Sequence, residues 1–434
     1  KILKKALLLG FSLSCILGIL QLMQWDFWAS PMGKELLIPE TYGQLRENLR
    51  FAQDASGFGR VYMALYNSSY AGIYIVMLLP LIALAENKYI RLLLIPAILC
   101  LIGTMSKTAW VAAILIGCLG VFMMKAKTLG KVKKRWIYSG AGILLMGMTF
   151  FAVVPTEDGV MAGGRKLQEV EGTEEYIRIV YQENTIYFSE YPQGEGVHYK
   201  VLDENGDKIL LSWSEERGEL DPVDSKYEGL HFKVYVKDDI SYAVFRYEDV
   251  IFRFTDDLGT GKYEYVSING KQDQLEDAGV LVNTGDSFLN GRGYIWNRVL
   301  PVIGDNLILG TGPDTFLQVF PQDDYVARAN LGYGFFSEIL TNAHSLYLQT
   351  ALQTGVISLG CMLIFTGIYL KRGWKVYAYK EYYNKMDKIG IACFLGCVGY
   401  LICGLTFSSS VCTTPIFAIL MGMGIGIQKC QKKK

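Results

Sequence analysis

Apolar positions along this chain fall into eight runs of 15 to 19 residues, near 6–24, 69–85, 92–106, 109–124, 137–154, 355–370, 389–406 and 410–427. A helix needs about 20 residues to cross the hydrocarbon layer of a bilayer, so each run predicts a membrane-spanning helix with soft ends. Between the fifth and sixth runs the period changes. Aromatic and β-branched residues alternate with polar ones over 176–181, 185–189, 197–202, 208–213, 230–236, 240–246, 250–254 and 263–267, the pattern of half-buried strands. Asn205-Gly206 and Asn269-Gly270 supply hairpin turns. Eight short strands at this spacing predict a small antiparallel sandwich or barrel. The pattern as a whole predicts a polytopic α-helical membrane protein, with about eight spanning helices in this chain and an inserted all-β domain. Its parts are 1–155 with five helices, the insert at 166–286, a large loop at 287–354, and 355–434 with three helices and a basic tail.

Composition sharpens this picture. Hydrophobic residues make up 51% of the chain and charged residues only 19%, against roughly a quarter charged in soluble domains. The formal net charge of zero hides a separation. Between Thr156 and Asn290 there are 29 acidic and 13 basic residues, a net of −16, so the remainder carries +16. A soluble single domain, a disordered chain and a disulfide-rich secreted module are excluded, and no nucleic-acid partner is expected. With the N-terminus inside, the inner segments hold twenty-one basic residues and the outer ones, the acidic insert aside, hold eight. The positive-inside rule is then met at every inner loop. Both ends of this chain are expected in the cytoplasm, with the insert and the 287–354 loop outside. The first residue is Lys1 rather than Met, so further helices are expected to precede it. All nine cysteines lie in or beside the apolar runs, none in a CxxC pair, and the acidic insert follows no EF-hand spacing. Neither a metal nor a cofactor is expected.

The eight outer bases are Lys34, Arg46, Arg50, Arg60, Lys107, Arg292, Arg298 and Arg328. Six are Arg, the side chain whose planar fork grips phosphate. Two histidines, His198 and His231, sit within predicted strands and read as packing or surface residues. The third, His344, stands eleven positions before Gly355 at the mouth of the sixth apolar run. Histidine moves protons near neutral pH. A base and phosphate-gripping cations on one face of a membrane core suit transfer from a lipid-borne diphosphate sugar to a hydroxyl. From the residues alone, His344 is equally a polar residue that caps or orients the following helix.

The run from Gly291 to Gly355 resembles the signature region of the O-antigen ligase and polysaccharide-polymerase (Wzy-type) family. Gly291-Arg292, Trp296, the turn Gly310-Thr311-Gly312 and His344 ahead of Gly355 follow that family's order and spacing. Arg60-Val61-Tyr62-Met63 and Thr104-Met105-Ser106-Lys107 are also similar to it, although the family usually has Arg where Lys107 stands. The resemblance extends over about 1–155 and 286–427 and leaves out the insert. It implies a metal-independent, GT-C-like glycosyltransferase in a bacterial cytoplasmic (inner) membrane. The donor would be an undecaprenyl-diphosphate-linked oligosaccharide and the acceptor a glycan or lipid hydroxyl. His344 and Arg292 would be catalytic, and Arg292, Lys107, Arg60, Arg298 and Arg328 would hold the diphosphate. Trp296, Gly310, Gly312 and Gly355 would shape the loop. Two other classes compete: a membrane-anchored binding or sensor protein with the β domain as receptor, and a polysaccharide-lipid transporter. Short inner loops speak against the first, and nearly charge-free spans against the second.

Overall fold

The computed structural model describes residues 2–48, 60–125, 166–193, 196–256, 259–267, 270–275, 278–281 and 285–432. The longer helices are α1 (Ile2–Leu22), α2 (Ser68–Ala83), α3 (Leu94–Gly103), α4 (Lys107–Lys125), α5 (Phe288–Asp305), α6 (Leu346–Tyr377), α7 (Lys385–Cys403) and α8 (Thr414–Lys432). Among the described residues, four of them, α1, α4, α6 and α7, are long and apolar enough to cross a membrane. The apolar run at 69–85 forms the 16-residue α2, and the run at 92–106 yields α3 after the short helix Lys88–Leu92. The run at 137–154 lies outside the described residues. The chain divides into two compact units. One comprises Lys1–Pro155, His344–Tyr347 and Ser358–Lys434, the other Thr156–Ala343 and Leu348–Ile357.

The first unit is helical. Its core is built on α7, which is apolar on every side and buries Ile391, Phe394, Leu395, Cys397 and Tyr400 among residues of α1, α2 and α4. A helix apolar all round belongs in an interior. The outer helices instead expose large apolar side chains, such as Leu9, Leu13 and Ile16 on α1 and Ile95, Leu99 and Ile102 on α3. Lipid tails are the medium in which that arrangement is stable. Where α7 begins, Asn384 and Asp387 form a reciprocal cap, and Lys385 and Lys388 pair with Glu86 at 3.8 and 3.6 Å. Where α1 ends, the buried Gln21 takes the N–H groups of Tyr62 and Met63 on its Oε1 and donates to the Met63 carbonyl. One amide side chain thereby satisfies three backbone groups of a segment that is itself neither helix nor strand.

Among its described residues the second unit holds ten strands in two antiparallel sheets. One has the order β1 (Leu167–Gly172), β2 (Ile177–Tyr181), β3 (Asn184–Gln193), β4 (Gly196–Leu202). The other contains β5 (Leu211–Ser214), β6 (Glu219–Pro222), β7 (Leu230–Lys237), β8 (Ile240–Tyr247), β9 (Val250–Thr255) and β10 (Glu264–Tyr265), in reverse order across the sheet. Alternate residues face inward: Ile177, Ile179 and Tyr181 on β2, Val250, Phe252 and Phe254 on β9. Phe188 of β3 meets Phe232 of β7 edge-on at 5.2 Å, so both sheets close on one core. The turn Asp238-Asp239 has both φ angles positive, 53° and 62°, and joins Lys237 to Ile240 in register. That is the two-residue turn whose twist suits a hairpin. The sequence pattern misses β1 and β6, because LQEVEG and ELDP carry too few apolar positions to alternate.

Where the sequence separates the insert from the 287–354 loop, the fold joins them. Ala329 and Phe336, from that loop, are buried in the sheet core, with Phe336 against Phe252 at 5.7 Å. Asn330 accepts the N–H groups of Lys166 and Leu167 and donates to the Leu167 carbonyl, fastening the loop to the first strand.

Candidate functional site

Two glycine positions build the centre of the loop. At Gly355 the backbone turns to φ 81° and breaks α6 into two helical pieces. A break of this kind strands the carbonyls of the preceding turn. The Gly310-Thr311-Gly312 turn satisfies them: Thr311 N–H donates to Leu352 O at 2.8 Å and Gly312 N–H to Gln353 O at 3.0 Å. On the far side of the break, Val356 N–H donates to Leu307 O at 2.9 Å. The approach is backbone on backbone. A Cβ on Gly310 would stand 2.5 Å from Gln353 C, and one on Gly355 would stand 1.9 Å from Ile308 O. Gly310 also has a positive φ, 70°. Only glycine fits either place.

A second set of contacts fixes the residue ahead of His344. Trp296, on α5, donates its Nε1–H to the Ala343 carbonyl at 3.0 Å. The Ala343 N–H donates to Gln349 Oε1 at 2.7 Å. Ala343 is fully buried with both its backbone groups engaged, and His344 follows it in the left-handed region at φ 46°. That conformation costs a residue with a side chain on the order of 1 kcal/mol. The half-buried His344 stands one residue from Ser345 and two from Leu346, whose N–H bonds Gly404 O at 2.7 Å.

The expected phosphate cations have unlike surroundings. Arg298 is wholly buried. Its Nε donates to Asp324 Oδ2 at 2.8 Å, its Nη1 to Asp286 Oδ1 at 2.6 Å, and its guanidinium lies 4.3 Å from the Tyr294 ring centroid. Burial alone would lower its pKa, but the two carboxylates outweigh burial and raise it. Arg328 is buried too and donates to the carbonyls of Gln322, at 2.6 Å, and Glu338. Both side chains are committed to tying the loop together. Arg292, in the second turn of α5, is half-buried; its Nη1 donates to Leu289 O at 3.0 Å, and burial lowers its pKa. Lys107 is exposed at the first residue of α4. Arg60 is exposed beside Val61, whose N–H bonds Gly103 O at 2.9 Å, four residues before Lys107. The fold thus brings the Arg60 and Lys107 segments together. Arg60, Lys107 and His344 belong to the first unit, and Arg292, Arg298, Arg328, Trp296 and the three glycines to the second.

Several of these partners are invisible to sequence reasoning. Asp324 reads as part of an Asp-Asp turn; it is instead 1% exposed and bound to Arg298. Gln21, Asp286, Asn330 and Gln349 carry no local signal. Of the two strand histidines, His231 has its Nδ1 2.6 Å from Asp221 Oδ1, and the ring of His198 lies 5.9 Å from that of Tyr191.

Helices long and apolar enough to cross a membrane, two antiparallel sheets and a loop bonded to a broken helix mark a membrane protein. Residues 242–363 match the family described as O-Antigen ligase. The matched segment starts at Tyr242 within β8, earlier than the Gly291 motif, and runs past both His344 and Gly355. No curated protein and no solved structure matches the chain.

Proposed function

We propose that the protein is an outer-face glycosyltransferase. It would ligate or polymerise an undecaprenyl-diphosphate-linked glycan onto a hydroxyl of a glycan or lipid acceptor, in a bacterial cytoplasmic membrane. The observation that carries this reading is the hold on Ala343, which presents His344 from a rigid, left-handed backbone inside the family-matched segment. His344 takes the proton of the acceptor hydroxyl as its oxygen attacks the anomeric carbon of the donor sugar. The carbon–oxygen bond to the diphosphate breaks, and undecaprenyl diphosphate leaves with the electron pair. Arg292, desolvated on α5, gains most from a diphosphate that replaces its lost water. Lys107 and Arg60 supply further positive charge. Arg298, which donates to two carboxylates, and Arg328, which donates to two carbonyls, hold the loop that carries the site. The reaction proceeds without a metal ion.

The topology reading is part of the proposal: about eight spanning helices, both ends of this chain inside, the sheets and the 287–354 loop outside. Charge supports it, since Glu86, Lys380, Lys385, Asp387 and Lys388, all assigned to the inner side, are joined by ion pairs at one end of the helices. The test is turnover of a fluorescent lipid-linked oligosaccharide by the purified protein in detergent. Turnover is expected to persist in EDTA and to vanish in His344→Ala. Turnover that needs an added divalent cation, or that survives His344→Ala, would overturn the reading.

A further inference from the structure

A cavity of about 960 Å³ opens beside the C-terminal halves of α6 and α8. Its lining includes four cations and no carboxylate: Arg372 and Lys375 on α6, Lys380 just after it, and Lys429 on α8. Lys380 pairs with Asp387 at 2.6 Å. Arg372, Lys375 and Lys429 form no ion pair among the described residues. The rest of the wall is largely apolar, with Phe365 and Ile368 exposed on the same helix.

The order along α6 matters. Phe365, Ile368, Arg372 and Lys375 are spaced three, four and three residues apart, which sets them on one helical face. At 1.5 Å per residue, Phe365 and Arg372 are separated by roughly 10 Å along the axis. The face therefore runs from hydrocarbon-compatible to cationic toward the helix end. Asp387 balances Lys380, but the other three positive side chains around the cavity repel one another, and an anion relieves that repulsion. A free anion would leave the apolar wall unused. An amphiphile with a phosphate at one end fills both parts, and basic cavities between helices at a membrane surface recognise such headgroups.

We propose that this cavity is a binding site for an anionic phospholipid, with its phosphate against Arg372, Lys375 and Lys429 and its acyl chains along Phe365 and Ile368. On the topology reading above, the lipid comes from the inner leaflet, on the face opposite the transfer site. The site is therefore separate from the glycan chemistry, and its test does not depend on turnover.

The test measures lipid binding to the full-length protein purified in detergent, by native mass spectrometry and thermal shift. The probes are dioleoylphosphatidylglycerol, dioleoylphosphatidylcholine and inorganic phosphate. Phosphatidylglycerol is expected to bind and raise the melting temperature, while phosphatidylcholine and inorganic phosphate do neither. The triple variant Arg372→Gln, Lys375→Gln, Lys429→Gln should lose at least tenfold in phosphatidylglycerol affinity, while Lys371→Gln, a nearby cation that does not line the cavity, should lose less than twofold. Ile368→Trp keeps every charge and fills the cavity, so it should weaken binding at least fivefold even if the triple variant fails to fold. Equal binding of phosphatidylcholine, a response to inorganic phosphate alone, or unchanged affinity in Ile368→Trp would each overturn the proposal.

Discussion

His344 combines the side chain proposed as the base with a left-handed backbone, and the two can be separated by substitution. Asparagine tolerates the left-handed region better than most residues, so His344→Asn keeps the local fold and removes the base. Both His344→Asn and His344→Ala should lose about 10²–10⁴-fold in glycan transfer, with normal membrane expression. If His344→Asn retained activity, the imidazole would not be the base. Arg292 and Lys107 differ in the same instructive way. A bidentate grip on a diphosphate needs the guanidinium fork, so Arg292→Lys should be nearly as damaging as Arg292→Ala. Lys107 is exposed at a helix start with room around it, so Lys107→Arg should transfer glycan at near wild-type rate. The turnover assay reads all three, and a fully active Arg292→Lys would reduce Arg292 to a simple counter-charge. The sequence set Arg292 apart as catalytic and grouped it with Lys107, Arg60, Arg298 and Arg328 as diphosphate-binding. Burial and hydrogen bonding divide them, leaving Arg298 and Arg328 as fasteners.

At the scale of elements, the decisive feature is the break in α6. The apolar run from 355 to 370 and the turn Gly310-Thr311-Gly312 are both legible in the sequence. That one closes the other is not, because 40 or more residues separate Thr311 and Gly312 from the Leu352 and Gln353 carbonyls they satisfy. Adding a Cβ here should be expensive. Gly355→Ala forces a side chain into φ 81° and against the Ile308 carbonyl, a loss of about 3 kcal/mol or more. Gly304→Ala serves as the control, since a Cβ on Gly304 of α5 meets nothing within 4 Å. Thermal unfolding in detergent should show Gly355→Ala and Gly310→Ala melting well below wild type and Gly304→Ala close to it. Similar melting of all three would mean that the break in α6 is not held by this contact.

At the scale of the molecule, the acidic insert is more deeply tied to its surroundings than its composition suggests. Its change of period and charge marks an independent domain at 166–286. The core, however, takes in Ala329 and Phe336, with Tyr325 and Val326 packed against it. A soluble fragment of 166–286 would leave that apolar surface open to water. A fragment of 166–343 would cover it and keep Asn330 on the first strand. The longer fragment should therefore melt cooperatively, with a β-type circular dichroism spectrum, at a clearly higher temperature than the shorter one. Equal melting temperatures would show that the loop adds nothing to the β core. The loop fastened to β1 is also the loop that carries Arg298.

The sequence by itself determined the classes of element and their chemical setting. Burial repeats every 3.6 residues in a helix and every two in a strand, so apolar runs and alternation report each element from its own residues. The lack of alternation in β1 and β6 explains why those two strands escape. The split in charge likewise follows from counting, and the Gly291–Gly355 motif from its resemblance to a known family. Tertiary structure decided which polar groups are spent on holding the fold. It paired Arg298 with Asp286 and Asp324, clamped Ala343 between Trp296 and Gln349, and merged the loop with the sheets. Those outcomes depend on groups brought together from distant parts of the chain, where burial makes each pairing obligatory, and no local pattern encodes them.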